Sequence, residues 1–255
     1  MRRFPVLVLF VALGCIAKNG DEGMVVLANT APSGTTCTFT GDPTQPALSQ
    51  GEIYAGSPDP YLLTPLIESR FTAAGSGENV DRSILLQGAD VTLTATGAGQ
   101  SVTLPTAGAQ FTTTIAGTIE PGGFLNVSFP IIPTNILSLF KNGSADTEIV
   151  ANVVVFGDEG GGRVNAEPFG YQVTVCPAGA PCVVQDVGSC TGLTASVNAG
   201  NPCNPFQDGI VTCCDVEACD TAATTGTPCS STGGSGSDDG FLITTALQCP
   251  AVAQM

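Results

Sequence analysis

The stretch Glu148-Ile-Val-Ala-Asn-Val-Val-Val-Phe156 decides the fold class of this 255-residue chain. Four valines and one isoleucine stand among its nine residues. Their β-branched side chains are stiff and pack well on the pleated surface of a sheet. The stretch therefore predicts a β-strand.

Similar short runs flank this strand on both sides, from Thr35 to Cys176. Turn residues interrupt them at intervals near the roughly 8–12 residues that are typical of sandwiches and barrels. A longer apolar run, Tyr61 to Phe71, contains Pro65, which favours an edge strand or a bend. The remaining predicted strands span 35–40, 52–56, 83–96, 100–104, 110–120, 124–132 and 169–176.

Two connecting segments have their own signals. Pro133 to Phe140 predicts one or two helical turns, with Thr134 as the N-cap and Asn142-Gly143 as the stop. Gly157 to Gly162 predicts a long turn because it is rich in glycine.

About eight strands, almost no helix and no βαβ rhythm predict an all-β fold. The best match is an antiparallel immunoglobulin-like β-sandwich over residues 34–178. A β-barrel is the alternative. A membrane barrel is disfavoured, because its strands would need about ten residues each with a lipid-facing apolar row.

The composition changes after Cys176, since residues 176–249 hold nine of the 11 cysteines. Apolar runs become rare there, so the segment lacks the apolar surface for a core of its own and needs cross-links. Residues 179–255 are therefore predicted to form a small, mostly irregular region stapled by disulfides.

Ten cysteines remain once Cys15 is set aside, and an even number is what a disulfide framework requires. Spacing does not fix the pairing. We predict that Cys37 pairs with Cys176, which joins the first predicted strand to the last, and that the other eight pair within the tail. A metal–thiolate site is disfavoured, because no C-x2-C pair and no histidine occur. The candidates are Cys37, Cys176, Cys182, Cys190, Cys203, Cys213, Cys214, Cys219, Cys229 and Cys249.

The charge and composition exclude several classes of function. Acidic residues number 22 against seven basic ones, and the basic ones are scattered, so nucleic-acid binding is not expected. Histidine is absent, which removes Ser-His-Asp and Cys-His mechanisms. We predict neither a catalytic activity nor a cofactor.

The first residues indicate export. Arg2-Arg3 precede an apolar block from Phe4 to Leu13, which is shorter than the about 20 residues of a membrane-spanning helix. A basic start, a short apolar core and small residues after it are typical of a secretory signal peptide.

Ala12-Leu13-Gly14-Cys15 resembles the lipobox of bacterial lipoproteins. The leucine that this family usually carries three residues before the cysteine is Ala12 here, and Leu13 stands one place later. The resemblance covers only residues 1–15. It implies that residues 1–14 are removed and that Cys15 carries a lipid. Ile16 in the next position implies delivery to the outer membrane of a Gram-negative host.

The alternative is ordinary signal cleavage after Gly14 or Ala17, which would give a secreted or periplasmic protein without a lipid. Residues 15–33 are predicted to form the lipidated N-terminus and a flexible tether.

Together these features predict a lipid-anchored protein of the cell envelope with a structural or interaction role. Its expected partners are the membrane, through the anchor, and a protein or a glycan. The alternative is a surface module that binds a glycan or small ligand with the help of calcium. Calcium needs six to eight oxygen ligands, so solvated turns are the favoured interpretation of the acidic candidates Asp158, Glu159, Asp238 and Asp239.

Overall fold

A computed structural model describes residues 23–33, 36–73, 82–177, 182–189, 199–215 and 247–248. These residues form β-strands and two single-turn helices. None of these helices has the length and apolar character that a membrane crossing requires. The strands are β1 (Met24–Thr30), β2 (Ala47–Leu48), β3 (Gly51–Tyr54), β4 (Tyr61–Leu63), β5 (Pro65–Ser69), β6 (Ile84–Gly97), β7 (Gln100–Val102), β8 (Gln110–Ile119), β9 (Phe124–Asn126), β10 (Phe129–Ile132), β11 (Thr147–Glu159), β12 (Gly162–Asn165), β13 (Phe169–Cys176), β14 (Val184–Ser189), β15 (Val211–Asp215) and β16 (Leu247–Gln248), and the helices are α1 (Thr106–Ala109) and α2 (Thr134–Leu137).

The largest sheet has seven strands and is built around β11. Its order is β3-β13-β11-β6-β7, with β12 beside β11 and β8 beside β6. Ile149, Ala151, Val153 and Val155 are fully buried and alternate along β11 with more exposed residues. Because side chains alternate along a strand, one face of β11 packs against the core. The sheet curls into a half-barrel around that face.

Two smaller sheets close the other side of the core. One has the order β2-β1-β5-β9, and the other pairs β10 with β4. The run Tyr61 to Phe71 thus divides into β4 and β5, which belong to different sheets. Pro65 is the first residue of β5, a position where a strand tolerates the missing N–H.

The sheets share one apolar core, and a second cluster attaches the tail to it. The main cluster takes Met24 from β1, Phe129 from β10 and Ile149 from β11, among others. The second cluster joins one residue of β3 with residues that follow Cys176. Its members are Tyr54, Val183, Val184, Phe206 and Val211.

The prediction of an all-β fold is confirmed, and β13 has the predicted bounds. The immunoglobulin-like arrangement is not confirmed by these sheets and stays a prediction. The last three strands form a separate small sheet in the order β14-β15-β16, in which β14 and β15 run parallel.

The predicted strand Thr35–Thr40 is wrong, and part of the predicted tether is a strand instead. Residues 36–40 have no strand partner, and their hydroxyls bond locally, as between Thr36 and Thr38 at 3.0 Å. β1 lies earlier in the chain, between β2 and β5. β1 forms because Met24 and Val26 are buried in the core, whereas Thr36, Thr38 and Thr40 are exposed.

Two connections also differ from prediction. Helix α2 begins at Thr134, so the N-cap position falls on Pro133 and no side chain caps the helix. β11 runs on to Glu159, which leaves a two-residue turn before β12. Gly160 and Gly161 have φ of 60° and 88°, a conformation that suits the twist of a tight hairpin and favours glycine.

Candidate functional site

The cysteine-rich tail returns to the body through residues 199–211, which we name the docking loop. The side chain of Gln207 bonds both main-chain groups of Leu62 in β4. The Leu62 N–H donates to Gln207 Oε1 at 2.8 Å, and Gln207 Nε2 donates to the Leu62 carbonyl at 3.0 Å. Asn204 Nδ2 donates to the Pro60 carbonyl at 2.9 Å. Amide side chains of the loop thus form hydrogen bonds with the main chain of β4 and of the residue before it.

Asp208 is the centre of the site and is fixed from three directions. Its main chain has φ of 51°, a conformation that aspartate tolerates better than most residues. Its Oδ1 accepts from the Glu52 N–H at 2.8 Å, and its own N–H donates to the Glu52 carbonyl at 2.9 Å. Its Oδ2 accepts from Tyr61 Oη at 2.7 Å and from Gln207 Nε2 at 3.2 Å. Both carboxylate oxygens are therefore used inside the protein.

The hydrogen bonds that begin at Asp208 continue into the core. Tyr61 is fully buried, and its hydroxyl lies 3.3 Å from that of Tyr171 in β13. Buried hydroxyls need partners, because an unpaired one costs free energy. Asp208, Tyr61 and Tyr171 thus link the docking loop to β4 and β13 by polar contacts in an apolar surrounding.

This surrounding changes the acidity of all three groups. Burial raises the pKa of Asp208 to about 6, against the lowering effect of the hydrogen bonds from Tyr61, the Glu52 N–H and Gln207. The charge of Glu52 raises it further. Burial also raises the pKa of Tyr61 and of Tyr171. Near neutral pH the tyrosines keep their protons, and the Asp208 carboxyl is the group that titrates.

Two adjoining clefts open beside Asp208 and Gly209, and Leu48 lines both. One of them mixes the polar side chains of Gln50 and Glu52 with the apolar side chains of Val183 and Ile210. Such a mixture of acceptors and apolar surface suits small polar ligands.

Two disulfides frame the site. They correct the predicted pairing of Cys37 with Cys176, and also the prediction that the other eight cysteines pair among themselves, since Cys182 and Cys203 do not. Cys37 is bonded to Cys203 in the docking loop, and Cys176 is bonded to Cys182. Cys176 ends β13, and the chain turns back to it within six residues. Cys37 lies outside any strand, where it meets the loop instead.

The other predicted cysteines are not tested. Cys213 and Cys214 are neighbours in β15, and the structure describes only the main chain of these two residues. Outside the described residues lie Cys15, Cys190, Cys219, Cys229 and Cys249.

Two of the acidic candidates for calcium, Asp158 and Glu159, lie at the end of β11 and have protein partners. Asp158 Oδ1 accepts from the Gly161 N–H at 3.0 Å, and Glu159 pairs with Arg82 at 3.4 Å. Asp238 and Asp239 lie outside the described residues. In the described part of the chain no three His, Cys, Asp or Glu side chains are grouped to hold a metal ion.

Asp208 and its partners were not among the residues predicted from the sequence. The chain has only three tyrosines, and two of them, Tyr54 and Tyr61, contact the docking loop. The hydroxyls of Tyr61 and Tyr171 form the row of hydrogen bonds that begins at Asp208. The Tyr54 ring lies 6.1 Å from that of Phe206. The segment Asn204-Pro205-Phe206-Gln207-Asp208-Gly209 is also dense in residues that make turns and side-chain hydrogen bonds.

No known protein family matches this chain, and no curated protein does. Among solved structures it is similar to a protein from Archaeoglobus fulgidus, with a TM-score of 0.29 and 12% identity over 46% of this chain and 86% of that one. It is also similar to a protein from Arabidopsis thaliana, with a TM-score of 0.31 and 12% identity over 55% of this chain and 90% of that one. Similarity at this level carries no argument on function.

Proposed function

We propose that this chain is a lipid-anchored protein of the cell envelope that serves as a disulfide-braced structural or interaction module. The observation that supports this most is the bond between Cys37 and Cys203, which are 166 residues apart. Disulfides of this kind persist in oxidising compartments outside the cytosol. The signal-like start from Arg2 to Cys15 is the route by which the chain would reach one.

The use of Asp208 supports a structural role. A buried carboxyl with a raised pKa is often a catalytic group. Here both oxygens accept hydrogen bonds from the body and the loop, so the group is committed to holding the tail. We therefore propose that the protein has no catalytic activity and that its rigid body holds its surface in place for a partner.

Intact-mass spectrometry of the membrane fraction tests the anchor. The expected chain lacks residues 1–14 and carries acyl chains on Cys15. The variant Cys15→Ser should lose the acyl mass and leave the membrane fraction, whereas Cys37→Ser should keep both. An unlipidated mature wild-type chain in the medium would contradict the proposal.

A second candidate function is the binding of a glycan or small ligand, favoured by the clefts that meet at Asp208. Glu52 and Gln50 would bond its hydroxyls, and Ile210 would contact its apolar faces. Thermal-shift titration with a panel of oligosaccharides, with and without calcium and with EDTA, tests this. Binding should raise the melting temperature of the wild type but not of Glu52→Ala. The absence of any shift across the panel would count against a binding role.

A further inference from the structure

We propose that the outer edge of β8 is an interface at which two copies of this chain pair, strand to antiparallel strand, into a dimer. The inference goes beyond the function proposed above, and it requires neither the lipid anchor nor a ligand in the clefts.

The strand β8 is the longest edge strand among the described residues. It pairs with β6 on one side, and no described strand pairs with it on the other. The second side therefore presents main-chain N–H and C=O groups that another strand can pair with. The opposite end of the same sheet is covered, because the docking loop bonds β3 through Glu52 and through a bridge between Ile53 and Gln207.

The residues that usually protect an edge strand are missing from β8. Charged side chains and prolines keep natural edge strands from pairing with one another. β8 contains neither, and it lies at the end of the uncharged run 91–119. This run is the longest without a charge in a chain whose formal net charge is −15. Two β8 strands can therefore meet without charges of the same sign facing each other.

The regular part of this edge is the segment from Gln110 to Thr114. Its pairing with β6 is continuous, and the register shifts beyond Thr114. Gln110, Thr112 and Thr114 are exposed on one face of the strand. Phe111 and Thr113 are half-buried on the other face, where Phe111 packs against the main core. A strand added to this edge would extend both faces.

The segment is complementary to itself in antiparallel register. A two-fold axis at Thr112 places this threonine opposite its own copy. Phe111 then faces Thr113 of the other copy on the core side, and Gln110 faces Thr114 on the exposed side. Threonine–threonine pairs and pairs of an aromatic with a β-branched residue stabilise neighbouring strands. The occupant that this edge fits is therefore a second copy of the chain.

The charge nearest to the axis does not oppose this pairing. Asp90 in β6 accepts from Thr112 Oγ1 at 2.6 Å and pairs with Arg163 at 3.3 Å. Because neighbouring strands lie about 4.8 Å apart, the Asp90 carboxylates of the two copies would be about 14 Å apart. This exceeds the screening length of about 8 Å at physiological ionic strength.

Sedimentation velocity of the purified full chain measures the association, in a detergent that disperses any lipid-bearing chain. The wild type should pass from monomer to dimer between about 1 and 100 µM, as expected of a small interface. Thr112→Lys places two like charges on the axis and should weaken dimerisation by about 10-fold. Thr94→Lys is the matched control. Thr94 is exposed on β6, one strand away from the edge, so this variant should dimerise as the wild type does.

A charge swap tests the position of the axis. Thr112→Lys and Thr112→Glu should each dimerise poorly alone, and their equimolar mixture should form a heterodimer because opposite charges then face each other. Hydrogen exchange on the wild type is a readout that needs no variant. The amides of residues 110–114 should gain protection as the concentration rises, and those of Gly162–Asn165 in β12 should not.

Three results would overturn the proposal. One is a wild-type chain that stays monomeric, with unchanged exchange at residues 110–114, over the whole concentration range. Another is a Thr112→Lys variant that dimerises as tightly as the wild type. The third is a mixture of Thr112→Lys and Thr112→Glu that associates no better than either variant alone.

Discussion

At the scale of single residues, Tyr61 shows how a polar group is kept in the core of this protein. Its ring is fully buried, and its hydroxyl donates to Asp208 Oδ2. A hydrogen bond to a charged group contributes more than one between neutral groups, and removing one partner strands the other. The aromatic ring of Tyr61 packs in the core, and its hydroxyl holds the docking loop through Asp208.

Tyr61→Phe should therefore destabilise the protein by about 1–3 kcal/mol at neutral pH, since it removes the hydroxyl without changing the shape of the ring. Urea unfolding measures this. The matched control is Tyr54→Phe, because the Tyr54 hydroxyl makes no hydrogen bond with the described residues, and its effect should stay within about 0.5 kcal/mol. Equal effects of the two substitutions would show that the hydroxyl of Tyr61 contributes nothing.

Residues of this kind could not be predicted from the sequence. Asp208 lies in a segment that is rich in turn-forming residues and has no hydrophobic period, so nothing local distinguishes its carboxylate from that of a solvated turn aspartate. Its role depends on β3 and β4, which lie about 150 residues earlier in the chain. The oxidising compartment, by contrast, could be predicted, because the number of cysteines reflects it directly.

At the scale of elements, the central strands β6 and β11 depend on close contacts between their main chains. Gly157 in β11 lies against Leu85 of β6, where the register of the two strands shifts. A Cβ at Gly157 would lie 2.6 Å from the Leu85 carbonyl oxygen and 2.9 Å from Ile84 Cγ2. The shift thus brings the main chains of β11 and β6 too close for any side chain at this position.

Gly157→Ala should destabilise the protein by about 1–3 kcal/mol, because a main-chain oxygen in a paired strand cannot move aside. Gly170→Ala is the matched control in β13 of the same sheet. Nothing lies within 4 Å of its added Cβ, so its effect should be within about 0.5 kcal/mol. Denaturation midpoints of both variants measure the difference. A tolerated alanine at position 157 would contradict the close approach.

The elements that were well predicted are those whose burial pattern is visible in the sequence. β6, β11 and β13 alternate or carry dense β-branched residues, and they form the centre of the large sheet. The run Phe124–Ile132 was predicted as one strand but forms β9 and β10 in different sheets. Periodicity detects that a segment is extended, whereas the sheet it joins depends on partners that are distant in the chain.

At the scale of the whole molecule, the two disulfides constrain very different lengths of chain. Cys37–Cys203 spans 166 residues, and Cys176–Cys182 spans six. In the chain-entropy treatment a bridge stabilises by restricting the unfolded chain, and it does so more when the loop is longer. The long bridge should therefore dominate the stability of the folded body.

Replacing both cysteines of the long bridge, Cys37→Ser with Cys203→Ser, should cost about 5 kcal/mol. The double variant Cys176→Ser with Cys182→Ser should cost about 2 kcal/mol, and it is the matched control. Double replacements avoid free thiols that could exchange. Guanidinium unfolding under oxidising conditions compares the two, and an equal or reversed order would contradict the entropic account.

The Cys37–Cys203 bond also determines how the protein responds to mechanical force. Tension that enters the chain before Cys37 and leaves it after Cys203 passes through this covalent bond and bypasses the strands between. At about 3.4 Å per extended residue, those 166 residues would otherwise contribute roughly 560 Å of extension. The bond keeps that length unavailable to a pull, so the sheets from β3 to β13 would stay folded while the ends of the chain are stretched.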